Sequence, residues 1–117
     1  MAVELARTCD DDKCRDVTIL DLRGLCSMAD YFVIATGTSQ RQIRTVADHL
    51  VQRAAQFGWR PLGIEGAQYS HWVLIDLVDV VVHVFAPSYR ELYDLELLWG
   101  DASRVPWERG EVTRSDD

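Results

Sequence analysis

The amino-acid sequence predicts an α/β domain, with a mixed β-sheet of about five strands and helices packed on it. Three observations carry that expectation. The segments run helix, two strands, helix, three strands, helix. Residues 31–36 (Tyr-Phe-Val-Ile-Ala-Thr) are a nearly continuous apolar run, as a central strand covered on both faces requires. Only Leu77, Val78 and Asp79 separate the apolar segments 72–76 and 80–85, a connection long enough for an antiparallel hairpin but not for a parallel crossover.

In chain order, residues 2–13 read as a helix, because Val3, Ala6 and Cys9 recur at spacing three. The Asp10-Asp11-Asp12 run reads as its solvated end. Residues 17–22 are rich in β-branched side chains and read as a strand. Gly37 ends the strand 31–36. Ser39, with Gln42 three residues on, has the capping-box pattern: the hydroxyl satisfies one orphan N–H of the first turn and the amide reaches back. The helix that follows carries Ile43, Val46, Ala47, Leu50, Val51 and Ala54 in one apolar stripe, opposite Arg41, Arg44, Asp48, Gln52 and Arg53. Gly58 supplies its left-handed C-terminal position. Residues 60–65 read as a short strand ended by Gly66. Pro87 opens a helix expected to run through Trp99, with Leu92, Leu95, Leu98 and Trp99 facing inward and Gly100 closing it. Residues 1–106 form the expected domain, and 107–117 are a polar tail expected to fray.

The 117 residues suffice for one domain with a modest core, and 48% apolar with 26% charged residues is a globular composition. A net charge of −7 disfavours autonomous nucleic-acid binding, which draws most of its non-specific affinity from basic groups. The same charge steers a basic protein partner toward the molecule. No signal peptide or membrane-length apolar run is evident, and Cys9, Cys14 and Cys26 include no C-x-x-C pair, which together suggest a reducing, cytoplasmic setting with free thiols. The three cysteines read as small buried hydrophobes or surface thiols.

The candidate chemistry is thin. Gly37-Thr38-Ser39 could cradle a phosphate at a helix N-terminus, but neither G-x-x-x-x-G-K nor G-x-G-x-x-G is present. A Gly-Ser turn entering a helix resembles that of nucleotidyltransferases, yet no D-x-D follows Ser39 to hold a divalent metal. Cys9, Cys14, Cys26, His49, His71 and His83 lack zinc-ligand spacing, so no metal or cofactor is expected. The hairpin stands out. Alternation places Trp72, Leu74 and Asp76 on one face of their strand, and His83 shares a side with Val81 and Phe85. These residues could form a binding face anchored by Trp72, or Trp72 could be core and His83 an interior hydrogen-bonded histidine.

Several segments occur in a telling order: residues 30–39, the helix 40–48, Glu65-Gly66, 72–76, 80–85, and then Arg90, Tyr93, Leu95-Glu96 and Leu98-Trp99. Together they resemble the ribosomal silencing factor family, RsfS, also called Iojap-like proteins, over about residues 3–102. The resemblance implies a non-enzyme that binds the large ribosomal subunit through its fourteenth protein, at the intersubunit face. It would block association with the small subunit and repress translation when nutrients are scarce. It further implies a nucleotidyltransferase-like topology without the catalytic carboxylates, and a homodimer when free. Trp72, Asp76 and His83 match family positions on the hairpin, and Glu65, Arg90, Tyr93 and Glu96 match others. On that basis Trp72, Leu74, Asp76, His83, Glu65 and Tyr93 are the expected partner-binding residues, with Arg90 and Glu96 able to pair within the fold instead. The alternatives are a cryptic nucleotide-binding or nucleotidyltransferase-type enzyme at the Gly37 turn, and direct ribosomal-RNA binding by a basic patch on the 40–60 helix. Val78 stands where many relatives have Gly, and a β-branched residue tolerates positive φ poorly, so the hairpin turn is expected to differ in type.

Overall fold

The computed structural model describes residues 1–66 and 71–109. Ten elements follow in chain order: α1 (Ala2–Asp11), β1 (Arg15–Asp21), β2 (Tyr31–Thr36), α2 (Gln40–Gln56), β3 (Gly63–Glu65), β4 (Trp72–Asp76), β5 (Val80–Phe85), α3 (Pro87–Leu92), α4 (Leu95–Leu98) and β6 (Ser103–Arg104). The strands make one six-stranded sheet in the order β3-β4-β5-β2-β1-β6, antiparallel throughout except for the β2–β5 pair. The strand beyond the expected five is β6, whose two residues are too short to leave a pattern in the sequence.

The two faces of the sheet are covered unequally. Helices α1 and α2 lie on one face, where Leu5, Val46, Leu50, Ile75 and Val82 are fully buried in the larger core cluster. Ile43, Val46, Ala47, Leu50 and Ala54 of the expected α2 stripe are buried, and Val51 packs at its margin. The hydroxyl of Ser39 accepts from Gln42 N–H (3.1 Å), as expected of the cap. Gln42 does not complete the box on Ser39. Its Oε1 instead accepts from Thr38 N–H and its Nε2 donates to the Asp12 carbonyl (2.8 Å), which ties α2 to the end of α1.

The opposite face carries a smaller cluster of Leu20, Leu22, Ile34 and Phe85. Here one expectation is overturned. The helix foreseen over residues 87–99 is two short helices, because the chain leaves helical geometry at Tyr93 and Asp94 and restarts with the Asp94 carboxylate accepting from Leu97 N–H (3.1 Å). The break alters which side chains point inward: Leu95 and Trp99 pack on the small cluster, whereas Leu92 and Leu98 are 70% and 71% exposed.

Val78 overturns another. It adopts φ +75° itself, in a γ-turn in which Asp79 N–H donates to the Leu77 carbonyl (3.0 Å). Asp76 Oδ1 accepts from Val78 N–H (2.9 Å), so the turn keeps the positive φ a glycine would favour and a neighbouring carboxylate braces it. The segment after Pro106, expected to fray, is anchored at its start: Trp107 Nε1–H donates to the Val17 carbonyl (3.0 Å), Arg7 Nε–H donates to the Trp107 carbonyl (2.8 Å), and Arg109 pairs with Asp11. Residues 110–117 lie outside the described part.

Candidate functional site

Strand pairing assembles the hairpin face. Trp72 lies opposite Phe85, Leu74 opposite His83 and Asp76 opposite Val81. The parallel β2–β5 register sets Phe32 beside Val81 and Ile34 beside His83. All these side chains project to the thinly covered face of the sheet, because neighbouring residues in register share a face. Trp72, Leu74 and Asp76 are half-buried, while Val73 and Ile75 between them are fully buried beneath the helices.

The sequence left open whether Trp72 and His83 form a binding surface or an interior pair, and the geometry divides the roles. His83 is 4% exposed, with Phe32 edge-on to its ring at 4.5 Å. Trp72 Nε1–H donates to His83 Nδ1 (3.1 Å). An accepting Nδ1 fixes the tautomer with its proton on Nε2, which has no polar partner among the described residues. Burial pushes the imidazole pKa down to about 4. His83 therefore lies beneath the indole and positions it, rather than meeting a partner directly. The indole itself is sandwiched, 4.9 Å from Phe85 and 4.7 Å from Tyr93 between ring centres.

The remaining expected residues fall in two places. Glu65 is exposed at the end of β3 and pairs in register with Leu74. The β3–β4 approach is so close that a Cβ on Gly66, at φ +82°, would sit 2.0 Å from the Trp72 carbonyl oxygen; only glycine fits. Glu65, Gly66, Trp72 and Leu74 line a depression of about 220 Å³, and the 43%-exposed Tyr93 stacks on Trp72 beside it. Asp76 stands two residues beyond Leu74, roughly 13 Å along β4 from Trp72 at about 3.3 Å per residue, with one carboxylate oxygen committed to the Val78 turn. Thus four of the six expected residues share one surface, His83 supports it from below and Asp76 shapes the turn.

Arg90 and Glu96 pair within the fold. Arg90 donates to Glu96 Oε1 from Nε (3.2 Å) and Nη2 (3.1 Å), and from Nη1 to Thr36 Oγ1 (3.0 Å) and the Asp16 carbonyl. This guanidinium fastens α3 to the end of the sheet. The expected set omitted Leu92, Leu97 and Leu98, all at least 70% exposed around α3 and α4 and interspersed with the exposed acids Glu91, Asp94 and Asp101. Leu25, Leu97, Leu98 and Trp99 border a further depression of about 420 Å³. The spacing of Leu92 and Leu98 was visible, but on an unbroken helix both point inward.

At the Gly37 turn, three of the N–H groups that could hold a phosphate already have partners in the chain. Gly37 N–H donates to the Phe85 carbonyl (2.8 Å), Thr38 N–H to Gln42 Oε1 and Gln42 N–H to Ser39 Oγ.

The family model described as "Ribosomal silencing factor during starvation" matches residues 1–117. The chain belongs to the ribosomal silencing factor family. Its relatives include the Bacillus subtilis ribosomal silencing factor RsfS, 43% identical over 97 residues that cover 83% of this chain and 82% of that protein. Mouse "Mitochondrial assembly of ribosomal large subunit protein 1" is 32% identical over 102 residues, covering 85% of this chain and 43% of its own length. A crystal structure of a Chromobacterium violaceum protein superposes with a TM-score of 0.80 at 35% identity, covering 93% of this chain and 91% of the other. The family is named for silencing of the ribosome, the mouse relative for assembly of the large ribosomal subunit, and the RsfS relatives carry the names of regulators rather than of enzymes. Among the described residues, no helix is long and apolar enough to cross a membrane.

Proposed function

We propose that this protein binds the large ribosomal subunit through its fourteenth protein and sterically blocks joining of the small subunit, lowering translation under nutrient limitation. It acts in the cytoplasm, by occupancy rather than catalysis, and is a homodimer when not on the ribosome. The observation that carries this reading is the surface of Trp72, Leu74, Tyr93 and Glu65: a half-buried indole, fixed by His83 and two flanking rings, beside an exposed carboxylate. A preorganised aromatic anchor with an acidic rim suits a basic protein surface, since the ring supplies buried area without ordering cost and the acid supplies steering. The alternative enzyme reading has less support, because three of the N–H groups at its turn, those of Gly37, Thr38 and Gln42, are already hydrogen-bonded within the chain.

The test is co-sedimentation with purified large subunits. Trp72→Ala should weaken binding by about 30-fold or more, the scale of a central anchor worth ~2 kcal/mol. Glu65→Lys, at an exposed position, should weaken it without lowering the thermal midpoint. Full retention of both binding and the block to subunit joining by Glu65→Lys and by a folded Trp72→Ala would overturn the assignment of this face.

A further inference from the structure

Helix α1 ends in a Schellman motif whose apolar clasp is made by two cysteines. Lys13, at φ +72°, is the left-handed residue. Its N–H donates to the Asp10 carbonyl (2.9 Å), and the N–H of Cys14 donates to the Cys9 carbonyl (3.0 Å). In this motif the residue after the left-handed position frequently packs on the one five places earlier, so C-x-x-x-x-C at a helix end directs two thiols toward each other. Both side chains lie in the same buried cluster, closed toward each other by those two backbone bonds. Cys26 packs with the small cluster on the opposite face of the sheet, so the three cysteines divide into a pair and a single.

The pair is unequal in a useful way. Cys9 is fully buried, and the neighbouring Cys14 thiol together with burial pushes its own thiol well up. Cys14 is 7% exposed, and the neighbouring Cys9 thiol pulls its own thiol down against the opposing effects of burial and of Asp12 and Asp10. Cys14 is therefore the more readily ionised thiol and the less deeply buried of the two.

We propose that Cys9 and Cys14 form a reversible intramolecular disulfide, with a low-molecular-weight disulfide as oxidant, that locks the corner between α1 and β1. The Cys14 thiolate attacks one sulfur of the small disulfide, forming a mixed disulfide and expelling one small thiolate, which takes up a proton. The Cys9 sulfur then attacks Cys14 Sγ, its proton passing to the second small thiolate as that is expelled. Two protein S–H bonds and one small S–S bond are exchanged for one protein S–S bond and two small thiols, so atoms and electrons balance. Asp12, inside the closed ring, accepts from Gln42 Nε2 at its carbonyl (2.8 Å) and meets His49 Nδ1 at its carboxylate (2.6 Å). The lock would thus extend to α2.

The full-length chain, without denaturant, is equilibrated in graded mixtures of oxidised and reduced glutathione, alkylated and mapped by mass spectrometry. The expected product is a monomer lacking two hydrogen atoms, with Cys9 linked to Cys14, Cys26 alkylated, and the bond reversed by excess reduced glutathione. Cys26→Ser should behave identically. Cys14→Ser should form no intramolecular bond, and its thermal midpoint should not respond to the glutathione ratio, whereas that of the unsubstituted chain rises on oxidation. Alkylation of both Cys9 and Cys14 at every ratio, linkage only through Cys26, linkage only after unfolding, or an unmoved midpoint on oxidation overturns the proposal.

Discussion

Val78 holds φ +75°, a backbone region that a β-branched side chain enters at a steric cost, and the Asp76 carboxylate offsets part of that cost by accepting from its N–H. Removing the side chain should relieve the strain. Val78→Gly is expected to stabilise the fold by ~1 kcal/mol, read as a higher urea midpoint at unchanged slope. His83 bears on stability differently. Its folded-state pKa is depressed to about 4 by burial, while the unfolded chain titrates near ~6.5. Between those values the unfolded state binds the extra proton, so stability is fully present above about pH 6.5 and is lost as pH falls toward 4. The expected loss is of order 3 kcal/mol, measured by urea unfolding at pH 7, 5.5 and 4, and it should shrink in His83→Gln, which does not titrate. That His83 would be an interior hydrogen-bonded histidine was one of two readings the residue types allowed. Which ring nitrogen accepts depended on register and rotamer, and no sequence pattern encodes those.

Helix α2 was the most legible element, because its stripe, cap and terminating Gly58 all agree on one period and one length. Ser39→Ala should cost ~1 kcal/mol, seen as a lower thermal midpoint. The segment 87–99 was misread for an equally physical reason. Leucines at spacing three predict a buried stripe only if the helix is continuous, and the Asp94 cap, which restarts it, looks in sequence like an ordinary polar residue on the outer side. The cysteine clasp of α1 was overlooked similarly, since the left-handed residue that closes the motif is Lys13 and not the glycine that usually announces it. Arg90 fastens α3 through Glu96 and Thr36. Arg90→Ala should cost about 2 kcal/mol and raise amide exchange in residues 87–98, by leaving the half-buried Glu96 without its main partner.

Across the whole molecule, the sheet separates two duties. The face under α1 and α2 carries most of the buried apolar surface, and the opposite face, covered only by short helices, presents Trp72, Tyr93 and the leucines of α3 and α4 amid acidic side chains. The fold class and the position of the hairpin followed from periodicity, whereas the extent of the exposed face depended on how two short helices sit, which is a tertiary fact. A net charge of −7 makes a kinetic prediction at this scale. Association with the isolated basic ribosomal protein proposed as partner should slow as salt rises from 50 to 300 mM, with dissociation changing less, as measured by stopped-flow fluorescence of a dye attached to that protein.

The clasp of Arg7 on the Trp107 carbonyl, with Arg109 against Asp11, brings the two extremities of the described chain together on the helical side of the sheet. A fluorescent reporter or purification handle grafted before Met1 would consequently hang behind the molecule, leaving the aromatic front unobstructed, so that immobilised protein could still engage a particle as bulky as a ribosomal subunit.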